Sequence, residues 1–184
     1  DHVRSSSEDL LRFINSILNY ARIESQGVEL HRESRDINQL LEEVVKKHEF
    51  LAKIKHIQLI CEFEPLFSIQ IDPELMRQVF SNLVENAIKY SPDGSKVLIT
   101  SEEVEGKIRV QIADQGPGIP AADLPHIFMK FFRSSGAKAS PIKGSGLGLY
   151  LAHYFIELHR GTLTVESIEG QGSTFTVELP VGLT

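Results

Sequence analysis

Apolar residues in the first 25 positions recur at three- and four-residue spacing. This spacing predicts one amphipathic helix over about residues 3–25, ended by Gly27. The stripe is wider than a strict coiled-coil seam, so the helix is expected to pack in a helical bundle. A domain boundary is predicted near Gly27, between residues 1–27 and residues 28–184. The stripe consists of Val3, Leu10, Leu11, Ile14, Ile17, Leu18 and Ala21.

Helical and strand patterns are mixed in the rest of the chain. Asp36 is predicted to cap a helix that reaches about Lys53. Asp72 is predicted to cap a second helix, which begins with Pro73 at its first position and reaches Tyr90. A further helix is predicted over residues 147–160. Turn residues and β-branched runs predict strands over 28–35, 57–63, 68–71, 96–104, 107–114, 162–167 and 173–179.

Residues 115–144 break this pattern, being rich in glycine, proline, serine and lysine. They contain one short apolar patch, from Ile127 to Phe132. The segment is predicted to form a long, partly mobile loop. Loops of that length in a compact domain are usually functional.

Composition and charge argue against several classes of protein. The chain has 184 residues, 41% of them hydrophobic, and a formal net charge of −6, which argues against binding to nucleic acid. Cys61 is the one cysteine, so a disulfide framework is excluded and a reducing, cytoplasmic compartment is expected. No apolar run is long enough to span a bilayer, and no membrane contact is expected within this segment; a parent protein anchored elsewhere is compatible with that.

The helix ending at Tyr90 carries an unusual polar stripe. Asparagine is unfavourable inside helices, yet Asn82 and Asn86 lie one turn apart. A solvated face is the simple explanation. The functional explanation is that a carboxamide offers an oxygen to Mg²⁺ without adding negative charge, while Lys89 neutralises phosphate oxygens. The stripe consists of Gln78, Asn82, Glu85, Asn86 and Lys89.

Asp114 ends an apolar strand and is followed at once by Gly116 and Gly118. A carboxylate in this position can accept a hydrogen bond from an exocyclic amine, and the glycines let a flat ring approach the backbone. Taken alone, the string also fits an ordinary turn.

A second glycine-rich string, Gly144–Leu149, begins a predicted helix. Alternate glycines at a helix N-terminus present backbone N–H groups to an anion. The string fits neither the Walker loop nor the dinucleotide fingerprint. No Asp or Glu occurs from Leu124 to Ile156, and the resulting basic island would suit a polyanion such as a nucleoside triphosphate. A merely solvated basic loop would explain the lysines but not the glycines. The basic residues are Lys130, Arg133, Lys138 and Lys143.

In this order, the motifs resemble those of the histidine-kinase branch of the GHKL ATP-binding family. Residues 82–92 resemble its N box, 114–119 its first glycine box, 127–133 its F box and 144–149 its second glycine box. The resemblance covers about residues 29–180. It implies an α/β class in the form of a two-layer α+β sandwich, with helices covering a mixed sheet, the Bergerat ATP-binding fold.

The resemblance also implies roles for individual residues, with ATP and Mg²⁺ as the cofactors. Asn86 would bind the metal, Asp114 would bind the adenine amino group, and Asn86, Lys89 and Arg133 would form the catalytic set. Lys130, Arg133 and the glycine backbone would contact the phosphates from a lid, and Thr174 would lie near adenine. The full set expected to bind the nucleotide is Asn82, Glu85, Asn86, Lys89, Tyr90, Asp114, Gly116, Gly118, Ile119, Lys130, Phe132, Arg133, Gly144, Ser145, Gly146, Leu147, Gly148, Leu149 and Thr174.

The first helix is similar to the second helix of the family's dimerisation and phosphotransfer hairpin. The histidine box of the first hairpin helix is absent, and His2 stands in the wrong place to replace it. The chain is therefore expected to phosphorylate a histidine outside this fragment. The resemblance further implies a homodimer formed through the hairpin and a response regulator receiver domain as partner.

The implied reaction is phosphoryl transfer by positioning and electrostatics. Relatives that use water as the nucleophile, such as gyrase, have a glutamate one turn before the metal-binding asparagine, and here that position is Asn82. An amide cannot take a proton from water, which favours a kinase over a hydrolase, although Glu85 is nearby. A non-catalytic nucleotide-sensing module and a serine kinase of the anti-sigma type remain the alternatives.

Overall fold

A computed structural model describes residues 2–139 and 144–182 of the chain. Its helices are α1 (His2–Gln26), α2 (Ile37–Ile54), α3 (Pro73–Tyr90), α4 (Ser135–Ala139) and α5 (Gly148–Leu158), with a 3₁₀ turn at Leu124–His126. Its strands are β1 (Glu33–Arg35), β2 (Gln58–Phe63), β3 (Ile69–Ile71), β4 (Lys96–Val104), β5 (Lys107–Ala113), β6 (Thr162–Ile168) and β7 (Gly172–Pro180).

Five of the strands form one mixed sheet in the order β2-β4-β5-β7-β6. Strand β2 runs parallel to β4, and the other pairs are antiparallel. Helix α3 packs between α2 and α5, and the three helices cover one face of the sheet. The core between the two layers contains Phe80, Phe155, Ile99, Val110 and Val177, all at most 1% exposed. The predicted α/β two-layer sandwich is confirmed.

Local chemistry explains the main helix starts. Asp36 accepts a hydrogen bond from the Asn38 backbone N–H at 2.8 Å, and Asp72 accepts from Glu74 and Leu75, each at 3.1 Å. Both caps occupy predicted positions, because a carboxylate beside free N–H groups acts through near neighbours alone. The same holds for the β4–β5 hairpin turn, where Glu105 and Gly106 have φ values of 52° and 74°, as a type I′ turn requires.

Several boundaries differ from the predictions. The strand expected over residues 28–35 is only Glu33–Arg35, because its one partner, β3, offers three residues for pairing. Helix α5 stops at Leu158, and Arg160 turns the chain with a φ of 57°. The segment expected to be one long loop contains the 3₁₀ turn and α4, while its residues 140–143 lie outside the described part of the chain.

Helix α1 ends where it was predicted to end. Gly27 has a φ of 71°, and its N–H donates to the Ile23 carbonyl at 3.0 Å. Tyr20 is buried, at 8% exposed. The rest of the helix exposes large apolar side chains, which fits the expectation of a bundle partner, while the domain boundary near Gly27 stays a prediction. These side chains are Leu10, Leu11, Phe13, Ile14 and Leu18. Across the described residues, no helix is both long enough and apolar enough to cross a membrane.

Candidate nucleotide-binding site

The polar stripe of α3 lies beside the buried face that faces the sheet. Asn82, Glu85, Asn86 and Lys89 are half-buried. The Asn86 side chain makes no hydrogen bond to any residue that the structure describes, so its amide oxygen is available to a ligand. Lys89 Nζ lies 2.5 Å from Glu85 Oε1, one helical turn away. The positive charge of Lys89 is therefore offset by Glu85 before any phosphate arrives.

Asn82 has a protein partner. Its Nδ2 donates to the Gly148 carbonyl at 3.0 Å, and a Cβ atom on Gly148 would lie only 2.4 Å from Asn82 Oδ1. The amide thus joins α3 to the first residue of α5, and a side chain in place of Gly148 would displace the Asn82 amide from this contact. This contact supplies a reason for an asparagine inside the helix, and nucleotide binding by Asn82 stays a prediction.

The Asp114 carboxylate is held by backbone donors on two segments. Its Oδ1 accepts from the Gly116 N–H at 2.8 Å and from the Ser173 N–H at 3.2 Å. Its Oδ2 has no hydrogen-bond partner in the described residues and is left as an acceptor. Burial raises the pKa of Asp114, against the two backbone hydrogen bonds, which lower it.

Gly116 fits between Asp114 and the end of α3. A Cβ atom on Gly116 would lie 2.9 Å from Asp114 Oδ1 and 3.0 Å from the Tyr90 carbonyl oxygen. Because both distances are shorter than ordinary carbon contacts, a larger residue here would displace the Asp114 carboxylate or the Tyr90 backbone. The N box and the first glycine box therefore meet in backbone contact.

The first glycine box also packs on the turn between β6 and β7. Gly118 has a φ of 70°, and a Cβ atom there would lie 2.2 Å from the Ile168 carbonyl oxygen. The Gly170 N–H donates to the Pro117 carbonyl at 2.7 Å, and the Ile119 N–H donates to Ser167 Oγ at 2.8 Å. These contacts fix the backbone of residues 117–119 on the hairpin.

Thr174 and Ser173 lie at the start of β7, beside Asp114. Thr174 is half-buried and pairs with Ala113 across β5 and β7. Ser173, which sequence reasoning missed, donates to the Asp114 carboxylate through its N–H and accepts from the Asp114 N–H at 2.8 Å. The only signal for Ser173 was its place between Gly172 and Thr174.

The F box and the second glycine box are joined through their backbones. The Phe131 N–H donates to the Gly146 carbonyl at 2.9 Å. Gly146 has a φ of 71°, and a Cβ atom there would lie 2.6 Å from the Phe131 carbonyl carbon. Phe131 itself has a φ of 61°, which is uncommon for a bulky residue. The two boxes thus form one structural unit.

The remaining residues of this unit have varied surroundings. Leu147 is buried, Leu149 and Phe132 are half-buried, and Gly144 is exposed. Ser145 Oγ accepts from the Leu147 N–H at 3.2 Å, which holds the turn that leads into α5.

The basic residues of the F box do not converge on one point. Arg133 Nη2 donates to the Ala137 carbonyl at 2.8 Å. Lys130 Nζ lies 3.0 Å from Glu24 Oε1 and about 5 Å from the ring centroids of Tyr20 and Tyr150. Hydrogen bonding to Tyr20 and Glu24 raises the pKa of Lys130, and the pKa of Glu24 is lowered by the same ammonium group. Lys130, expected at the phosphates, thus contacts α1 here, and its phosphate role stays a prediction.

The geometry fits ATP and a divalent cation. In the described part of the chain, Asp114 Oδ2 and the Asn86 amide oxygen are free acceptors, and Gly116 keeps the space beside the Asp114 carboxylate clear of a side chain. Among the described residues, no group of three or more His, Cys, Asp or Glu could hold a metal. A cation bound together with a nucleotide would take ligands from the phosphate oxygens, and Asn86 is the protein ligand that the sequence predicts.

Residues 71–183 match the family of histidine kinase-, DNA gyrase B- and HSP90-like ATPases. The match spans more than half of the chain and includes the α3 stripe, both glycine boxes and the F box. The chain belongs to this family.

Within the family, the chain is similar to sensor histidine kinases. It is 30% identical over 179 residues to the sensor protein kinase WalK of Staphylococcus haemolyticus, covering 96% of this chain and 29% of that protein. The crystal structure of full-length ShkA with AMPPNP matches with a TM-score of 0.86 at 29% identity, over 100% of this chain and 38% of that one. The complex of histidine kinase ThkA with the response regulator TrrA matches with a TM-score of 0.77 at 27% identity, over 98% of this chain and 49% of that one.

These matches identify a catalytic ATPase domain of the sensor histidine kinase type in this chain. The chain spans about 29% of the length of the curated relatives that it matches.

Proposed function

We propose that this chain transfers the γ-phosphoryl group of ATP to a histidine that lies outside residues 1–184. The observation that carries the proposal is the Asp114 carboxylate, held by the N–H groups of Gly116 and Ser173 with one oxygen left as an acceptor. An adenine amino group is a donor of matching chemistry. Asn86 then lies on the neighbouring helix, where a polyphosphate would need a cation.

The nucleotide would be held from three sides. Asp114, Gly116 and Thr174 would contact the adenine, and Tyr90 would line the site. Lys89, Arg133 and the N–H groups of the second glycine box would contact the phosphates, because a helix N-terminus favours negative charge. The rest of the expected set consists of Asn82, Glu85, Gly118, Ile119, Lys130 and Phe132. Mg²⁺ held by Asn86 would supply charge neutralisation at the phosphate oxygens.

The transfer step needs no covalent intermediate on this domain. A neutral imidazole nitrogen of the acceptor would attack the γ-phosphorus in line, a P–N bond would form, the bond to the β-bridging oxygen would break, and ADP would leave. Lys89 and Arg133 would offset the charge on the transferring group. Water is disfavoured as the nucleophile, because Asn82 is an amide that is bonded to Gly148 and cannot act as a general base.

The partners follow from the same proposal. The exposed apolar residues of α1, such as Leu10, Ile14 and Leu18, suit a helical hairpin bundle and a homodimer formed through it. A response regulator receiver domain would accept the phosphoryl group from the histidine. The lone cysteine suits the cytoplasm as the site of action. A serine kinase and a nucleotide-sensing module are less well supported, because the relatives named above are histidine kinases.

The test supplies the missing nucleophile. The chain is incubated with labelled ATP, Mg²⁺ and a separate hairpin that carries a sensor-kinase phosphoacceptor histidine, beginning with a cognate hairpin. Acid-labile label should appear on the hairpin, and none on a hairpin whose acceptor histidine is replaced by glutamine. Wild type should bind ATP more tightly in Mg²⁺ than in the presence of a chelator, and Asn86→Ala should remove this difference. Acid-stable labelling, ATP hydrolysis without transfer, or strong labelling of this chain alone would contradict the proposal.

A further inference from the structure

Helix α3 ends abruptly, and its last backbone carbonyls need hydrogen-bond donors from outside the helix. Ser91, the first residue after the helix, has a φ of −71° and a ψ of 143°, so the chain becomes extended at once. Pro92 follows, and a residue before proline is driven away from helical geometry. No left-handed residue closes the last turn, so the usual hydrogen bonds of a glycine cap are not made there. The Ser91 N–H satisfies only the Ala87 carbonyl.

Lys55, at the end of α2, supplies those donors. Its Nζ donates to the carbonyls of Ile88 and Lys89, each at 2.9 Å, and to the Ser91 carbonyl at 2.6 Å. The three N–H groups of the ammonium are thereby all used. The side chain is half-buried. A positive charge is also favourable at a helix C-terminus, where the dipole is negative.

The backbone of Lys55 fixes the other side of the proline. The Gly94 N–H donates to the Lys55 carbonyl at 2.9 Å. Gly94 has a φ of 79°, which brings the chain back towards β4. Residues 88–94 are therefore anchored to one lysine at both ends.

Lys55 does not bind the Tyr90 carbonyl, which contacts the first glycine box instead. The Tyr90 carbonyl lies against Gly116, where a Cβ atom would be only 3.0 Å away. Gly116 in turn donates its N–H to Asp114 at 2.8 Å. A shift in the end of α3 would therefore move Gly116, and with it the carboxylate that Gly116 orients.

We propose that Lys55 is a positioning residue of the nucleotide site. It holds the last turn of α3 so that Lys89, Tyr90 and Asp114 keep the relative places that ATP needs, without itself contacting the nucleotide. The inference rests on the proposed function, because it takes Asp114 to bind the adenine amino group. A residue that only stabilised the fold would lower the melting temperature and leave the affinity of the folded protein unchanged.

The experiment compares Lys55→Met with Lys53→Met, which removes an exposed lysine from the same helix end. Affinity for ADP is measured by calorimetry well below the melting temperature, and the amide resonances of Tyr90 and Gly116 are recorded without nucleotide. Lys55→Met should weaken ADP binding by about tenfold and shift both resonances, because three carbonyls lose their donor. Lys53→Met should do neither. Lys55→Arg should recover most of the affinity, since it keeps the charge and several N–H donors.

The possible outcomes separate the two proposals. An ADP affinity of the Lys55→Met protein within twofold of wild type, with both resonances unmoved, would overturn the role of Lys55 while leaving the proposed function intact. Failure of the wild-type protein to bind ADP would overturn the proposed function and the inference with it. If Lys55→Met does not fold, Lys55→Gln is used, because its amide retains one donor group; a weakening of about threefold is then expected, and wild-type affinity would overturn the inference.

Discussion

Lys130 Nζ lies 3.0 Å from Glu24 Oε1, which ties the F box of the ATPase domain to helix α1. The ammonium group also lies near the rings of Tyr20 and Tyr150, and Phe131 packs edge-on against Tyr20. Lys130 was expected at the phosphates, so Glu24 and a bound nucleotide would compete for one charge. The position of α1 would then affect the affinity of the F box for ATP.

Glu24→Gln should therefore strengthen binding of an ATP analogue by about two- to fivefold at low salt, because Lys130 loses its carboxylate partner. The gain should shrink as salt is added, since exposed charges are screened. Calorimetry at two ionic strengths measures it, with Glu29→Gln as a control that removes an exposed charge of the same sign. An unchanged affinity would remove Lys130 from the phosphate site.

Asp114→Asn should weaken ADP binding by about tenfold to a hundredfold, because the amide loses negative charge and can present N–H groups to the adenine amine. The exposed Asp93→Asn is the matched control and should bind normally. The raised pKa of Asp114 adds a pH test: its carboxylate is protonated at a higher pH than an ordinary aspartate, so affinity should fall as pH is lowered towards that pKa. Equal affinities for both variants would rule out the adenine role.

Gly146→Ala should abolish nucleotide binding, because the new methyl group would collide with the Phe131 backbone and separate the F box from the second glycine box. Gly106→Ala is the control. Gly106, in the β4–β5 turn, also has a positive φ, 74°, but nothing lies within 4 Å of its Cβ position, so this variant carries only the conformational cost of about 1–2 kcal/mol. Melting temperatures and ADP titrations distinguish them. If both variants bound ADP alike, the contact between the two boxes would not matter for the nucleotide.

His159→Gln tests a buried histidine outside the site. His159 Nε2 accepts from the Asp72 N–H at 2.9 Å, and Nδ1 lies 2.7 Å from the Phe155 carbonyl, so the neutral ring with its proton on Nδ1 satisfies both contacts. Burial lowers the pKa of His159 below its ordinary value. The unfolded chain therefore takes up a proton near pH ~6.5 that the folded protein does not, and the free energy of unfolding should fall as pH decreases below that value.

In the His159→Gln variant this part of the pH dependence should disappear, because an amide does not titrate, while stability at pH 8 falls by about 1–2 kcal/mol. Urea unfolding between pH 5 and pH 8 measures both effects. His31→Gln, which removes an exposed histidine, should keep the wild-type slope. A slope for the His159→Gln variant equal to that of wild type would show that His159 does not set it.

Local features were predictable where near neighbours decide the geometry. Asp36 and Asp72 cap helices because their carboxylates reach N–H groups two or three residues away. Glu105 and Gly106 turn the β4–β5 hairpin for an equally local reason. The second glycine box lies at the start of α5, as its glycine spacing predicted, while the nucleotide-binding roles of the motif residues stay predictions.

The partners of the charged and amide side chains could not be predicted in this way. Lys130 binds Glu24, Asn82 binds Gly148, and Lys55 binds the end of α3, over separations of 106, 66 and at least 33 residues. Hydrophobic periodicity specifies which face of an element is buried, but it carries no information on which distant element lies opposite a given side chain.

The sequence by itself therefore determined the family, most of the elements and the chemistry available to the site. Only the tertiary structure decided that Ser173 helps to orient Asp114, that Lys130 is paired with Glu24, and that Lys55 supports the last turn of α3. The reason is physical: a hydrogen bond depends on angles and on distances within a few tenths of an ångström, and these are set by how the helices pack on the sheet rather than by the order of residues in each one.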